Sequence, residues 1–135
     1  MHQLDHAASS GLFYHDPGET IILSTVLLFG LAAFFGLFLT VMGVRYHRGS
    51  MALGLTHAGI ASLALALLTV QIFRDSVNHM LYNDATILFI VTLLAGLVML
   101  ALRMGKEPPP MVVVGIHAVI ALLALLLLVL GYAHH

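Results

Sequence analysis

The sequence predicts an all-α integral membrane fold: four transmembrane helices running up-down-up-down, built as two tandem helical hairpins. Three observations carry this. First, 61% of the 135 residues are hydrophobic and only 8% are charged, where a soluble domain carries roughly 25% charged residues. There are too few polar side chains to coat a water-facing surface. Second, the apolar residues fall in four runs, each long enough for the roughly 20 residues that cross the hydrocarbon core. Third, the two halves match without a gap at an offset of 60 residues: of the positions 51–68 and 111–128, ten are identical (Met51, His57, Ala58, Ile60, Ala61, Leu63, Ala64, Leu65, Leu67 and Leu68 with their partners sixty further on).

Taken in order, Met1 to Thr20 form a polar, acidic segment. It lacks the basic start and small-residue cleavage site of a signal peptide. Asp16-Pro17-Gly18-Glu19 reads as a helix start, with Asp16 as N-cap, Pro17 as the first helical residue and Glu19 closing a capping box. The first span is expected from about Ile21 to Val44, ending in Arg45-Tyr46-His47-Arg48-Gly49. The second runs from about Met51 to Phe73, giving a first hairpin over 21–73. A connection over 74–84 follows. Asn83 or Asp84 is expected to cap a third span, about Ala85 to Leu102. The turn Arg103-Met104-Gly105-Lys106-Glu107-Pro108-Pro109-Pro110 leads to a fourth span, about Met111 to Tyr132, so that the second hairpin covers 85–135.

Basic residues orient the bundle. Arg45, Arg48, Arg103 and Lys106 lie in the two short turns, and only Arg74 lies at the opposite end. By the positive-inside rule the turns are expected to be cytoplasmic, and both termini outward, periplasmic if the membrane is a bacterial inner membrane. Five cations cannot form a basic patch, so nucleic acid is excluded as a partner. With no cysteine, disulfides, thiolate metal sites and iron–sulfur clusters are excluded as well. No nucleophile, acid–base pair or phosphate loop is evident, so no catalytic residue is assigned.

The nine histidines are the compositional anomaly. Only His57 and His117 lie well inside a span, and they coincide in the repeat. Intramembrane ionisable residues are costly and usually functional. Each sits six residues after the start of its helix, roughly 9 Å along the axis. A two-fold axis along the membrane normal would set them at equal depth, facing each other. Neighbouring helices pack about 8–10 Å apart, so diagonal ones stand roughly 11–14 Å apart, too far for a direct hydrogen bond between the rings and wide enough for a metal centre. Zinc wants four ligands, and no acid or thiol is near. Haem iron wants two axial ligands, and two histidines supply them.

Ala61 and Ala64 follow His57 at helical spacing, as Ala121 and Ala124 follow His117. These small residues leave room for a flat macrocycle. Gly30, Gly36 and Gly96 could give similar clearance, and Arg45 and Arg103 are placed to meet haem propionates. Other readings stand beside this one. Small residues also serve close helix packing, and an intramembrane histidine can simply hydrogen-bond a carbonyl or a threonine such as Thr56 or Thr92. The remaining histidines, His2, His6, His15, His79, His134 and His135, gather at the outward end; Asp75 and His79 are four apart and would share a face if that segment is helical, where a copper or zinc site is the competing reading to solvated polar ends. His47 reads as an interfacial polar residue.

The segments Thr56-His57-Ala58-Gly59-Ile60-Ala61 and Ile116-His117-Ala118-Val119-Ile120-Ala121 make the chain resemble the small membrane b-type cytochromes, in which haem is held between histidines of different helices. It is also similar in size to the haem-bearing anchor subunits of quinone-linked dehydrogenases. It departs from the two-haem pattern, because the first and third helices contain no histidine. The resemblance implies one haem b between His57 and His117, one-electron transfer, and partners among other membrane subunits, a second copy or a quinone. A cofactor-free structural or assembly subunit and a small proton or metal transporter are the competing classes.

Overall fold

The computed structural model describes residues 17–46, 49–74 and 80–133. They form four α-helices: α1 (Pro17–Tyr46), α2 (Met51–Arg74), α3 (Met80–Met104) and α4 (Met111–Ala133). Each is long and apolar enough to cross a membrane, and the chain is an integral membrane protein. α1 and α3 each pack against both α2 and α4, and no contact joins the backbones of α1 and α3 or of α2 and α4. The bundle is therefore four-square, with α1/α3 and α2/α4 as its diagonals. The Arg103 guanidinium at the end of α3 folds over Gly49 ahead of α2, which brings the two hairpin turns to one end. We call this the turn end, and the other the termini end.

Local chemistry explains the helix boundaries. Pro17 opens α1 as expected; the capping role assigned to Asp16 lies outside the described residues. Ser50 caps α2: its hydroxyl accepts from Leu53 N–H at 3.3 Å and its carbonyl from Gly54 N–H at 3.1 Å. The end of α3 is a Schellman turn. Glu107 N–H reaches back to Leu102 O at 2.9 Å and Lys106 N–H to Arg103 O at 3.0 Å, with Lys106 in the left-handed region at φ 65°. Pro110 then starts α4 with its carbonyl, which accepts from Val113 and Val114 N–H.

One boundary differs from expectation. α3 starts at Met80, so Asn83 and Asp84 lie within the helix and do not cap it. The reason is tertiary packing. Tyr82, Ala85, Phe89 and Thr92 are all buried on one face of α3, and the Tyr82 ring lies on Gly131 of α4, where a Cβ would meet it at 2.7 Å. Burying that ring draws the first turn into the helix.

Burial is concentrated at the termini end. The core consists of Ile22, Thr25, Phe29 and Ala32 on α1, Ala64, Leu68 and Gln71 on α2, the four α3 residues above, and Ala124, Leu128 and Gly131 on α4. Their spacings of three and four residues keep each set on one helix face. Phe29 and Phe89 meet across the α1/α3 diagonal, ring centres 3.7 Å apart and 4° from parallel. By contrast, no described residue of 33–63 or 93–123 is buried. The repeat is visible in the packing: residues 21–40 and 81–100 are buried, half-buried and exposed in the same pattern, residue for residue.

Candidate cofactor site

The site lies where the packed half of the bundle gives way to the open half. His57 reaches from α2 towards α1, and its Nδ1 lies 2.8 Å from the carbonyl oxygen of Ala32. A carbonyl can only accept, so Nδ1 carries the proton, and the neutral tautomer that makes this bond has its lone pair on Nε2. The Ala32 carbonyl is accessible because the residue four further on is Gly36. A side chain there would stand beside the oxygen; a Cβ on Gly36 would meet His57 Cε1 at 3.0 Å and Nδ1 at 3.4 Å.

The second hairpin repeats this with α4 and α3. His117 packs on Gly96, where a Cβ would stand 3.3 Å from Cε1 and 3.9 Å from Nδ1. Thr92, sixty residues after Ala32, offers its backbone to His117 as a hydrogen-bond partner. The contact is looser than its counterpart at Ala32, and the buried Nδ1 of His117 makes no bond of full hydrogen-bond geometry.

The two imidazoles approach each other edge to face across the α2/α4 diagonal. Their ring centres are 6.3 Å apart, at an interplanar angle of 64°. Neither ring is turned to lipid; both are half-buried. Thr56 and Thr92, the expected hydroxyl partners, both donate to their own helices, to Ala52 O and Leu88 O. The partner that the structure provides, the Ala32 carbonyl, is a backbone group, and no residue type in the sequence could announce it.

The remaining site residues divide. Ala61 and Ala121 are half-buried one turn from the rings. Ala64 and Ala124, expected to leave room for a macrocycle, are fully buried in the core cluster that contains Phe29 and Phe89. That stack lies three residues from Ala32 towards the termini, about 4.5 Å along the axis. The buried core is therefore on the termini side of the rings, and on the turn side no described residue of 33–56 or 93–116 is buried. Arg45 is exposed at the end of α1, and Arg103 is half-buried over Gly49; Gly49 is eight residues before His57, about 12 Å along the axis. His2, His6, His15, His47, His79, His134, His135, Arg48 and Asp75 lie outside the described residues. Among the described residues, no group of three or more His, Cys, Asp or Glu comes together as a metal cage.

Fold and site together define a four-helix membrane protein with a pair of half-buried imidazoles from equivalent positions of the sequence repeat. No protein-family model, curated protein or solved structure matches the chain.

Proposed function

We propose that the chain is a membrane b-type cytochrome, or the haem-bearing subunit of a respiratory electron-transfer complex, with one haem b between His57 and His117. The observation that carries this reading is the approach of the two rings, with centres 6.3 Å apart. Metal–imidazole bonds are about 2.0–2.1 Å long, so two imidazoles on one ion have centres on the order of 6 Å apart. The donor chemistry agrees: Nδ1 of His57 is tied to a carbonyl, the usual outer partner of a ligating histidine, which leaves Nε2 for the metal. Bound haem would supply one-electron chemistry, and the chain would hold the ligands in a low-dielectric shell. Ala61 and Ala121 border the site. Phe29 and Phe89 close it towards the termini, and Arg45 and Arg103 stand at the turn end as the cations available to propionates.

The reading extends to setting. The basic turns support a cytoplasmic turn end and periplasmic termini in a bacterial inner membrane. The related faces of α2 and α4 support a protein partner in the bilayer, another subunit or a second copy. Exposed positions of α2 carry Ala52, Thr56, Gly59, Ser62 and Ala66, whereas their α4 equivalents are Val112, Ile116, Val119, Leu122 and Leu126. Large apolar residues suit lipid; small ones suit a neighbouring helix. A quinone is the candidate small-molecule partner.

The test is a reduced-minus-oxidised absorption spectrum of the detergent-purified protein. A sharp haem band, abolished in the double variant His57→Ala/His117→Ala, is expected. Colourless protein after expression with haem supplied would overturn the reading. It would favour a cofactor-free structural subunit, which the His57–Ala32 hydrogen bond and the Phe29–Phe89 stack also suit, because both fix the bundle without a ligand.

A further inference from the structure

The two halves of the site match in sequence, yet the two rings are held differently. His57 is fixed on two sides: Nδ1 is bonded to the Ala32 carbonyl at 2.8 Å, and the ring lies flat enough on α1 that three of its atoms fall within 4 Å of a Cβ placed on Gly36. His117 stands further from its own glycine, with only two atoms inside that range, and its buried Nδ1 makes only a loose contact with the Thr92 backbone, short of full hydrogen-bond geometry. At the carbonyl each ring addresses, the first hairpin has Ala32 and the second has Thr92. The Thr92 side chain is buried, with its hydroxyl bonded back to Leu88 O. Thr92 is thus the bulkier residue at the position that Ala32 holds in the first hairpin.

We infer that the two imidazoles are unequal donors: His57 is the anchored ligand and His117 the exchangeable one, so that the site admits a small neutral donor molecule in the place of His117. This deepens the haem reading and rests on it for the identity of the metal. The physics is ligand preorganisation. A ring already held in one tautomer and one orientation loses little freedom on binding metal. A ring with a looser outer hydrogen bond is a weaker base and is held less firmly, so it leaves first. Exchange breaks one metal–Nε2 bond and makes one bond to the incoming neutral donor, and it moves no electron or proton.

The test is haem titration of the full-length, detergent-purified chain, read by absorption. Outer hydrogen bonds to metal-ligating histidines are typically worth about 10–100-fold in metal affinity. His57→Ala is therefore expected to weaken haem binding about 10–100-fold more than His117→Ala does. His117→Ala is expected to keep haem in a single-histidine, high-spin form that added imidazole converts to low-spin and that carbon monoxide binds when reduced. Thr92→Ala, which copies the first hairpin, is expected to make His117 harder to displace by imidazole, and Ala32→Thr to make His57 easier to displace. Equal losses in the two histidine variants, or the reverse order, overturn the inference. So does a Thr92→Ala protein with unchanged imidazole competition. If the wild-type chain takes up no haem, the proposed function fails, and the inequality is then read on the haem-free protein by ¹⁵N NMR of labelled histidine. His57 is expected as one fixed Nδ1–H tautomer and His117 as an exchanging pair, each assigned by its loss in the Gln variant. Identical signatures would overturn the inference there too.

Discussion

At the scale of single residues, the site depends on what is missing at positions 36 and 96. A helical carbonyl is already bonded to the N–H four residues on, and its second lone pair is normally screened by the side chain there. Glycine removes the screen, so an imidazole from the next helix can reach the Ala32 oxygen. Gly36→Ala would place a Cβ 3.0 Å from His57 Cε1, while Gly96→Ala would place one 3.3 Å from His117 Cε1. Both substitutions require the ring to give by a few tenths of an ångström, the tighter contact being at Gly36, where the ring is also held by the Ala32 carbonyl. Gly36→Ala is thus expected to shift the His57 Nδ1–H signal in ¹⁵N NMR more than Gly96→Ala shifts the His117 signals. Equal disturbance by the two would contradict this account. Both histidines and both glycines were legible in the sequence, because the repeat singled them out. The acceptor was not, since a main-chain oxygen carries no residue-type signal, and the threonines that looked available are bonded within their own helices.

At the scale of the elements, the ends of the helices make separate predictions. Ser50 is the only side-chain cap seen at the turn end among the described residues, and Ser50→Ala is expected to lower stability by about 1 kcal/mol, read as a drop in Tm in detergent. Lys106 holds a left-handed conformation that costs a non-glycine residue roughly 1 kcal/mol. Lys106→Gly is therefore expected to raise Tm slightly, by at most about 1 kcal/mol of stability, because glycine's greater freedom in the unfolded chain offsets part of the gain. At the termini end, Tyr82 and Gly131 form a large–small pair where the first hairpin has Ile22 and Gln71. Gly131→Gln is expected to destabilise the protein by about 1–3 kcal/mol through overpacking, and Tyr82→Ile in the same chain to restore much of the loss. This pair also explains why the start of α3 was misjudged. Asn83-Asp84 has the composition of a cap, but the burial of Tyr82 outweighs that local preference.

At the scale of the whole molecule, the four spans and their up-down order were legible because bilayer thickness sets the length of apolar runs, whatever the packing inside. The distribution of packing was not. Nothing in the leucine- and alanine-rich runs distinguishes the half with Phe29 and Phe89 at its centre from the half in which no described residue is buried. Orientation remains a separate property, set by flanking charge. The chain has no cysteine, so single cysteines give clean reports. A cysteine at Glu107 is expected to react with a membrane-impermeant maleimide only after the cells are opened, and one at Ala133 to react in intact spheroplasts. The opposite pattern would invert the bundle and remove the positive-inside argument for a cytoplasmic turn end.

The Phe29–Phe89 stack has a consequence for oligomeric ancestry and design. Each ring comes from the same position of its hairpin, so the seam between the hairpins brings like against like. A surface that meets its own copy in this way is isologous, the kind that closes a C2 dimer. A polypeptide comprising residues 80–133 alone is accordingly expected to self-associate in pairs, with Phe89 against Phe89 and His117 opposite His117, and to stop at two. Disulfide trapping through a single cysteine at Phe89 would detect it: a trapped dimer supports a seam that recognises itself, and a monomer would show that the two halves have diverged too far to substitute for one another.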